Sequence, residues 1–261
     1  MKIAVCIKQV PKTTEITIDP KTNTLNREGV PSIINPDDKS ALEAALQLKD
    51  RYAATVNVIC MGPPQAEIAL REALAMGADN AYLITDRAFA GSDTLATSTI
   101  ISDALRKLGY DVIFAGRQAI DGDTAQVGPQ IAEQLGIPQI TYCAHFDYDQ
   151  KSDTFTVKRQ LEDRYQVLKV KAPALFTVLS SSIAPRYMNV KDIIGQEEKQ
   201  INIITYQDLL CDKDKIGLNG SPTKVKTTFT KQFNSEKQLI ETTPQEAAKI
   251  IAAELRAKHI I

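Results

Sequence analysis

A strand, a loop and a helix follow one another between positions 111 and 136, and this unit limits the folds open to the chain. Asp111-Val112-Ile113-Phe114-Ala115 is a short apolar run of the buried-strand kind. Just after Asp123 the pattern turns helical, with Val127, Ile131, Ala132 and Leu135 on one face and Gly136 and Pro138 as its stop. The intervening loop carries Gly116, Asp121, Gly122, Asp123 and Thr124. It can leave backbone N–H groups free at the positive end of a helix, where an anion is favoured. Composition alone leaves open an ordinary capped crossover that binds nothing, because the loop is neither a P-loop nor G-x-G-x-x-G.

The same alternation recurs along the first half. Lys2 to Ile7 reads as a strand, and Lys8 to Val30 as a polar loop with a small hairpin around Asn23. Asn35-Pro36 opens a helix whose apolar face is Ala41, Leu42, Ala45, Leu46 and Leu48. Thr55 to Cys60 is a strand, Gln65 to Met76 a helix closed by Gly77, and Ala81 to Ile84 a strand. A loop from Asp86 leads to a helix carrying Leu95, Ile100, Ile101, Ala104 and Leu105. Alternating strands and helices predict an α/β fold, a mostly parallel, doubly wound, Rossmann-like sheet covered on both faces. Ligands on such sheets bind beyond the carboxyl ends of the strands.

After Ile140 the pattern changes. Thr154 to Arg159 and Arg164 to Lys171 predict an antiparallel hairpin, and Pro173 to Ser180 another strand. From Arg186 the chain is polar and irregular. It reads as an extended arm ending in a helix that opens on the capping box Thr243-Pro244-Gln245-Glu246 and carries Ala247, Ile250, Ile251 and Leu255. The expected division is a nucleotide-binding α/β domain over residues 1–195 and an arm with a C-terminal helix over 196–261.

Charge and composition exclude several classes. With 31 basic against 32 acidic residues the net charge is −1, which points to neither nucleic acid nor an anionic membrane surface. No apolar run approaches a membrane span, and the amino terminus has too short an apolar core for a signal peptide, so a cytoplasmic protein without membrane insertion is expected. Cys6, Cys60, Cys143 and Cys211 are widely spaced, and His145 and His259 are the only histidines. Neither a metal site nor a disulfide scaffold is expected, and no hydrolase motif is present.

The string Gly116-Arg117-Gln118-Ala119-Ile120-Asp121-Gly122-Asp123-Thr124-Ala125-Gln126-Val127-Gly128 closely resembles the nucleotide-binding signature of electron transfer flavoprotein β subunits. The resemblance extends to Val5-Cys6-Ile7-Lys8-Gln9-Val10-Pro11, Asn35-Pro36, the run from Ala73 to Asp79, and Pro185-Arg186-Tyr187. It implies that Cys6, Ile7, Lys8, Asn35, Asp38, Met61 and Gly62 surround an adenosine. It also implies that Gly116, Gln118, Asp121, Gly122, Asp123, Thr124, Ala125, Gln126, Val127 and Gly128 take the phosphates. Asp38 would accept ribose hydroxyls.

Ordinary members hold AMP in this subunit. A subset holds a second FAD there and divides electron pairs from NADH. The run Asp86 to Ser98 resembles that subset, with Asp93 at a helix start, Thr94 and Thr97 on one helix face towards a flavin ring, and Gly91 giving room. The resemblance implies an α-subunit partner, ferredoxin or flavodoxin as one acceptor, and an acyl-CoA dehydrogenase-type partner as the other. Arg186, Tyr187, Met188 and Val190 would dock on that partner. It assigns no catalytic side chain, since the flavin carries the chemistry. An AMP-holding, non-bifurcating subunit is the alternative, and a stand-alone nucleotide sensor a third.

Overall fold

The computed structural model describes residues 1–12, 31–225 and 239–261. Strand β1 (Lys2–Ile7) leads into β2 (Gln9–Pro11), which pairs antiparallel with β3 (Ser32–Ile34). The expected loop after Lys8 therefore begins in paired strand, and the hairpin expected around Asn23 lies outside the described residues. Then α1 (Pro36–Tyr52), β4 (Thr55–Met61), α2 (Glu67–Met76), β5 (Asn80–Ile84), α3 (Thr94–Leu108), β6 (Val112–Gly116) and α4 (Val127–Leu135) alternate as the periodicity predicts. The second half supplies β7 (Gln139–Asp149), β8 (Thr154–Gln160), β9 (Tyr165–Lys171), β10 (Ala174–Val178), α5 (Val190–Gly195), β11 (Ile201–Ile204), the one-turn α6 (Gly217–Gly220) and α7 (Pro244–Ala257).

Among the described residues the main sheet has nine strands in the order β11-β5-β4-β1-β6-β10-β7-β8-β9. It is parallel from β11 to β7 and antiparallel across β7, β8 and β9. This is the α/β class expected, with its antiparallel extension. The chain leaves β1 towards β4 and β5, then returns to the other side of β1 with β6. The strand order therefore reverses between β1 and β6, and their carboxyl ends open a crevice there.

The central strands are buried on both faces, which is why they read as continuous apolar runs. Ile3, Val5 and Ile7 pack with α1 and α2, whereas Ala4 and Cys6 face a second cluster with Ile100, Leu105 and Ile131 of α3 and α4. Leu95 departs from the expected apolar face of α3 and is exposed. Helix α4 starts only at Val127, later than the pattern after Asp123 suggested, so the loop before it is longer.

Two further segments differ from expectation. Residues 139–149 form one long strand that periodicity did not mark. Its register shifts beside β10, and Tyr142 takes a left-handed backbone with φ 56°. Beyond that kink, Phe146 reaches Phe114 and Phe176 at ring-centroid separations of 5.3 and 5.6 Å. Phe114 sits two strands away, so the far half of β7 lies over the sheet face. Phe155 of β8 completes the cluster against Phe176 at 5.1 Å.

The stretch after residue 195 is not a free arm throughout. Ile201–Ile204 pairs in parallel with β5, and Leu209 and Ile216 are buried in the α3–α4 cluster. The compact unit accordingly runs Met1–Lys226, and a second unit takes Thr227–Ile261. The expected boundary at 195 cuts through the first unit. Within the second unit α7 opens as its capping box predicts, with the Glu246 N–H donating to Thr243 Oγ1, and none of its residues is buried. Among the described residues no helix is long and apolar enough to cross a membrane.

Phe176 touches both the parallel sheet and its folded-over extension. Phe176→Ala is expected to cost about 3–5 kcal/mol, because transfer free energy is lost and the flanking rings cannot close the cavity. Equilibrium urea denaturation checks this.

Candidate functional site

The crevice is built around the start of α1. Asn35 precedes Pro36 and is fully buried, yet its side chain does not cap the helix. Instead its Nδ2 donates to the Gln118 carbonyl at 2.7 Å, and its Oδ1 accepts the Ile120 N–H at 3.0 Å. The expected helix cap is thus a brace for the signature loop. Asp37 accepts the Ser180 N–H at 2.9 Å and lies 3.3 Å from Arg117 Nε. Asp38 accepts the Lys8 N–H at 2.8 Å on one oxygen and the Gly116 N–H at 3.0 Å on the other.

Three side chains from one helix start therefore hold the ends of β1, β6 and β10. The positive end of the α1 dipole favours the two carboxylates. The oxygens of Asp38, expected to take ribose hydroxyls, are committed to main-chain amides. Burial pushes the Asp38 carboxyl up to about 7; the amides of Lys8 and Gly116 and the Asn35 side chain pull it down, and Asp37 adds to the rise. Gly116 is required here, because a Cβ would collide with the Asp38 carboxylate.

The signature loop runs from Gly116 to Gln126. Lys8 Nζ bonds both oxygens of Asp121, at 2.7 and 2.8 Å, bridging the end of β1 to the loop. Gln118 donates to Asp123. Asp123 and Ala125 have left-handed backbones, φ 54° and 53°. Asp tolerates that region, but for Ala it costs roughly 1–2 kcal/mol. Gly122, Asp123, Thr124 and Gln126 are exposed, and a side chain at Gly122 would meet open space. No side chain caps α4, so its first amides remain available to an anion. Gly128, expected among the phosphate contacts, is buried with its Cα turned to Thr177, where a Cβ would come within 2.7 Å of the Thr177 methyl. It lets α4 approach β10 instead.

The loop after β5 faces the signature loop. Asp93 caps α3 by accepting the Ala96 N–H at 3.0 Å. Thr94 Oγ1 donates to Gln126 Oε1 at 2.9 Å, joining the starts of α3 and α4. Thr97 lies one turn on and is half-buried. Gly91 does not open room for a ring as expected. With φ +75°, it backs onto Leu218, where a Cβ would lie 3.0 Å from that residue's own Cβ. Met61 and Gly62 are half-buried at the end of β4, and Gly62 N–H donates to the Ile84 carbonyl at 3.1 Å. Ile7 and Cys6 line the end of β1, and burial, with Asp38 and Cys60 adding, pushes the Cys6 thiol up to about 12. Cys6 is therefore an uncharged wall. Among the described residues no group of His, Cys, Asp and Glu is placed to hold a metal.

Residues 22–209 match the electron transfer flavoprotein domain. The chain is 55% identical over 261 residues, all of both chains, to the electron transfer flavoprotein subunit beta of Clostridium acetobutylicum. It is 49% identical over 264 residues, again full length in both, to the caffeyl-CoA reductase-Etf complex subunit CarD of Acetobacterium woodii. It is 46% identical to the protein FixA of Azorhizobium caulinodans, covering 95% of this chain and 92% of that one. The chain belongs to the electron transfer flavoprotein family. Its full-length matches place it with the β subunits, whose work is electron transfer.

In this β-type chain the segment after Pro185 divides into an anchor and an exposed stretch. Arg186, expected to dock, is held from its own chain. Glu43 accepts its backbone N–H and its guanidinium, at 3.1, 2.8 and 3.0 Å, and Asp50 accepts a further N–H at 2.8 Å. These carboxylates raise the guanidinium pKa above its ordinary value. Tyr187, at 97% exposure, Met188 and Val190 stand free, and Ile193 and Ile194 of α5 are exposed beside them. Asp37 and Glu43 carry no mark in the sequence motifs, and Arg117 enters only within the signature string. The available signal was Glu43, an acid between Leu42 and Ala44 on an otherwise apolar stretch.

Asp38 makes stability depend on pH in an unusual sense. Between about pH 4 and 7 the folded chain keeps a proton that the unfolded chain releases. Stability therefore falls as pH rises through that window, by at most ~1.4 kcal/mol per unit, and levels off above it. Asp38→Asn is expected to remove this slope and to cost about 1–3 kcal/mol, since one buried amide loses its acceptor. Unfolding free energies at stepped pH for both proteins check it.

Proposed function

We propose that this chain is the β subunit of a two-chain electron transfer flavoprotein of the bifurcating kind, with FAD held in the crevice between β1 and β6. The observation that carries this reading is the convergence of two helix starts. The uncapped first turn of α4 meets the Thr94–Thr97 turn of α3 across one hydrogen bond, with open space at Gly122 between exposed polar residues. Such a surface fits a pyrophosphate at one end and the polar edge of a ring at the other.

The residues take distinct parts. The amides around Thr124 to Val127 would receive phosphate, with Lys8 as the nearby cation and Asp121 orienting it. Cys6, Ile7, Met61 and Gly62 would wall the adenosine, on a floor braced by Asn35 and Asp38. Thr94 and Thr97 would meet the ring. Bound FAD would supply hydride acceptance from NADH and single-electron delivery to ferredoxin or flavodoxin and, through a second FAD on the α subunit, to an acyl-CoA dehydrogenase-type partner. Tyr187, Met188 and Val190 would touch that partner, with Arg186 behind them. The apolar face of α7, with Ile251 57% exposed, would pack on the α subunit. The relatives support this reading through their names, since one belongs to a caffeyl-CoA reductase-Etf complex and another to an acryloyl-CoA reductase.

One observation favours the alternative, a structural AMP. The Thr94 hydroxyl already has a protein partner in Gln126, so it does not need a ring to be satisfied. The nucleotides released on denaturing the purified heterodimer separate the two: two FAD per dimer support the flavin reading, and one FAD with AMP supports the other. If FAD is present, replacing Thr94 and Thr97 together by Val should leave the fold intact and slow flavin reduction by NADH. Each lost hydrogen bond is worth about 1 kcal/mol, more where the acceptor is charged. Anaerobic NADH titration followed by flavin absorbance reads the effect, and identical traces at full occupancy would separate these hydroxyls from the ring.

A further inference from the structure

The start of α3 is held by residues some 130 positions later in the chain. The Asp93 N–H donates to Ser221 Oγ at 2.8 Å, and that hydroxyl donates onward to the Gly217 carbonyl at 2.7 Å. The free oxygen of the Asp93 carboxylate accepts both the N–H and the hydroxyl of Thr223, at 3.0 and 2.7 Å. Two more bonds run alongside: the Gly217 N–H donates to Ser92 Oγ at 3.1 Å, and the Leu218 N–H to the Ala90 carbonyl at 3.0 Å. Ser221 is buried. Gly217 is left-handed at φ +61°, and a Cβ there would collide with the Ala88 carbonyl. Leu218 lies against Gly91. The segment from Gly217 to Thr223 is therefore seated along the whole loop from Ala88 to Asp93.

Capping alone does not explain this arrangement. One oxygen of Asp93 suffices to cap α3 through Ala96, and an exposed capping aspartate is free to rotate with its helix. Here the second oxygen and the backbone N–H are both tied to Thr223 and Ser221, which fixes where the helix begins relative to the sheet. Burial opposes ionisation of Asp93, but the Ala96 amide and the Thr223 hydroxyl and amide outweigh it and hold the carboxyl below its ordinary value. Thr94 is the next residue, and Thr97 shares its turn.

We propose that Ser221 and Thr223 are positioning residues of the nucleotide site: they fix Asp93 and through it aim the hydroxyls of Thr94 and Thr97 at the bound ring. The proposal rests on the flavin reading above. Hydrogen bonds weaken steeply with small errors in distance and angle, so a loosened helix start is felt at the ring before it is felt in the fold. Thr223 is exposed, so removing its hydroxyl leaves the core untouched.

The test uses the co-expressed heterodimer, with Thr223→Val, Thr223→Ser and wild type compared. FAD and AMP content, melting temperature, visible circular dichroism of the bound flavin and the anaerobic rate of reduction by NADH are measured on each. The expected result is two FAD in all three. Thr223→Val reduces about tenfold more slowly, with an altered dichroism band and a melting temperature within a few degrees of wild type. Thr223→Ser, which keeps the hydroxyl, behaves as wild type. Two FAD with wild-type reduction and dichroism in Thr223→Val, whatever its melting temperature, overturns the positioning role and leaves the flavin reading standing. One FAD with AMP in wild type overturns the flavin reading, and the positioning role with it.

Discussion

Three polar side chains at the start of α1 are taken out of water together, and the crevice depends on the partners they find; the second oxygen of Asp37 makes no hydrogen bond and faces Arg117 Nε at 3.3 Å. Asn35, Asp37 and Asp38 are buried, and burying such groups without partners costs several kcal/mol each. Their partners are the main-chain groups of Lys8, Gly116, Gln118, Ile120 and Ser180. Each of these groups lies at or just beyond the carboxyl end of β1, β6 or β10, where a parallel sheet leaves its loops free. A helix start that would otherwise need capping from its own side chain instead disciplines three loops. The same side of α1 continues outward. Ser40 Oγ donates to the Ile183 carbonyl at 2.9 Å, and Glu43 holds Arg186. One helix therefore carries both the floor of the crevice and the anchor of the exposed segment after Pro185.

Around that floor the walls come from distant parts of the chain. Strand β11 extends the sheet beyond β5, and the segment after it seats the loop that leads into α3. On the other flank, β7 kinks at Tyr142 so that Phe146 and Phe155 cover the face beside α1 with aromatic side chains. A chain with few aromatic residues gathers them there, where their large area fills the space that another helix would occupy. The crevice end of the sheet is kept polar and open by contrast. A cavity of about 390 Å³ lined by Tyr52, Tyr110, Tyr148 and Asp153 lies at the other end of the strands, beside Met1 and Pro173. It shares no residue with the crevice.

Family membership and site geometry answer different questions. Full-length similarity to β subunits establishes the kind of molecule and its role in electron transfer. What the crevice can bind turns on local features: the two helix starts, the hydrogen bond between Thr94 and Gln126, and the strained backbone at Ala125. A strained non-glycine residue persists only where the surroundings over-determine it. Here the loop is held before Ala125 by the Asn35 brace and the Lys8–Asp121 pair, and after it by the Thr94–Gln126 bond.

Local sequence alone determined the strand–helix alternation of the first half, the parallel sheet it implies, the antiparallel hairpin and the capping box of α7. Each is written in a window of a few residues, through apolar period, Gly and Pro stops, or a cap. The same windows marked Gly116 and Asn35, though not the reason for either. Only the tertiary structure decided that Gly116 faces Asp38, that Asn35 bonds a loop more than 80 positions away, that Arg186 is an anchor, and that Ile201–Ile204 is a sheet strand. Three isoleucines and one asparagine in a polar stretch have no period long enough to read, and they become a strand only because β5 offers an unpaired edge. A hydrogen-bonding side chain likewise carries no mark of its partner in its neighbours. Propensity is local, whereas the pairing of buried polar groups is settled by whichever main chain the finished fold brings within 3 Å.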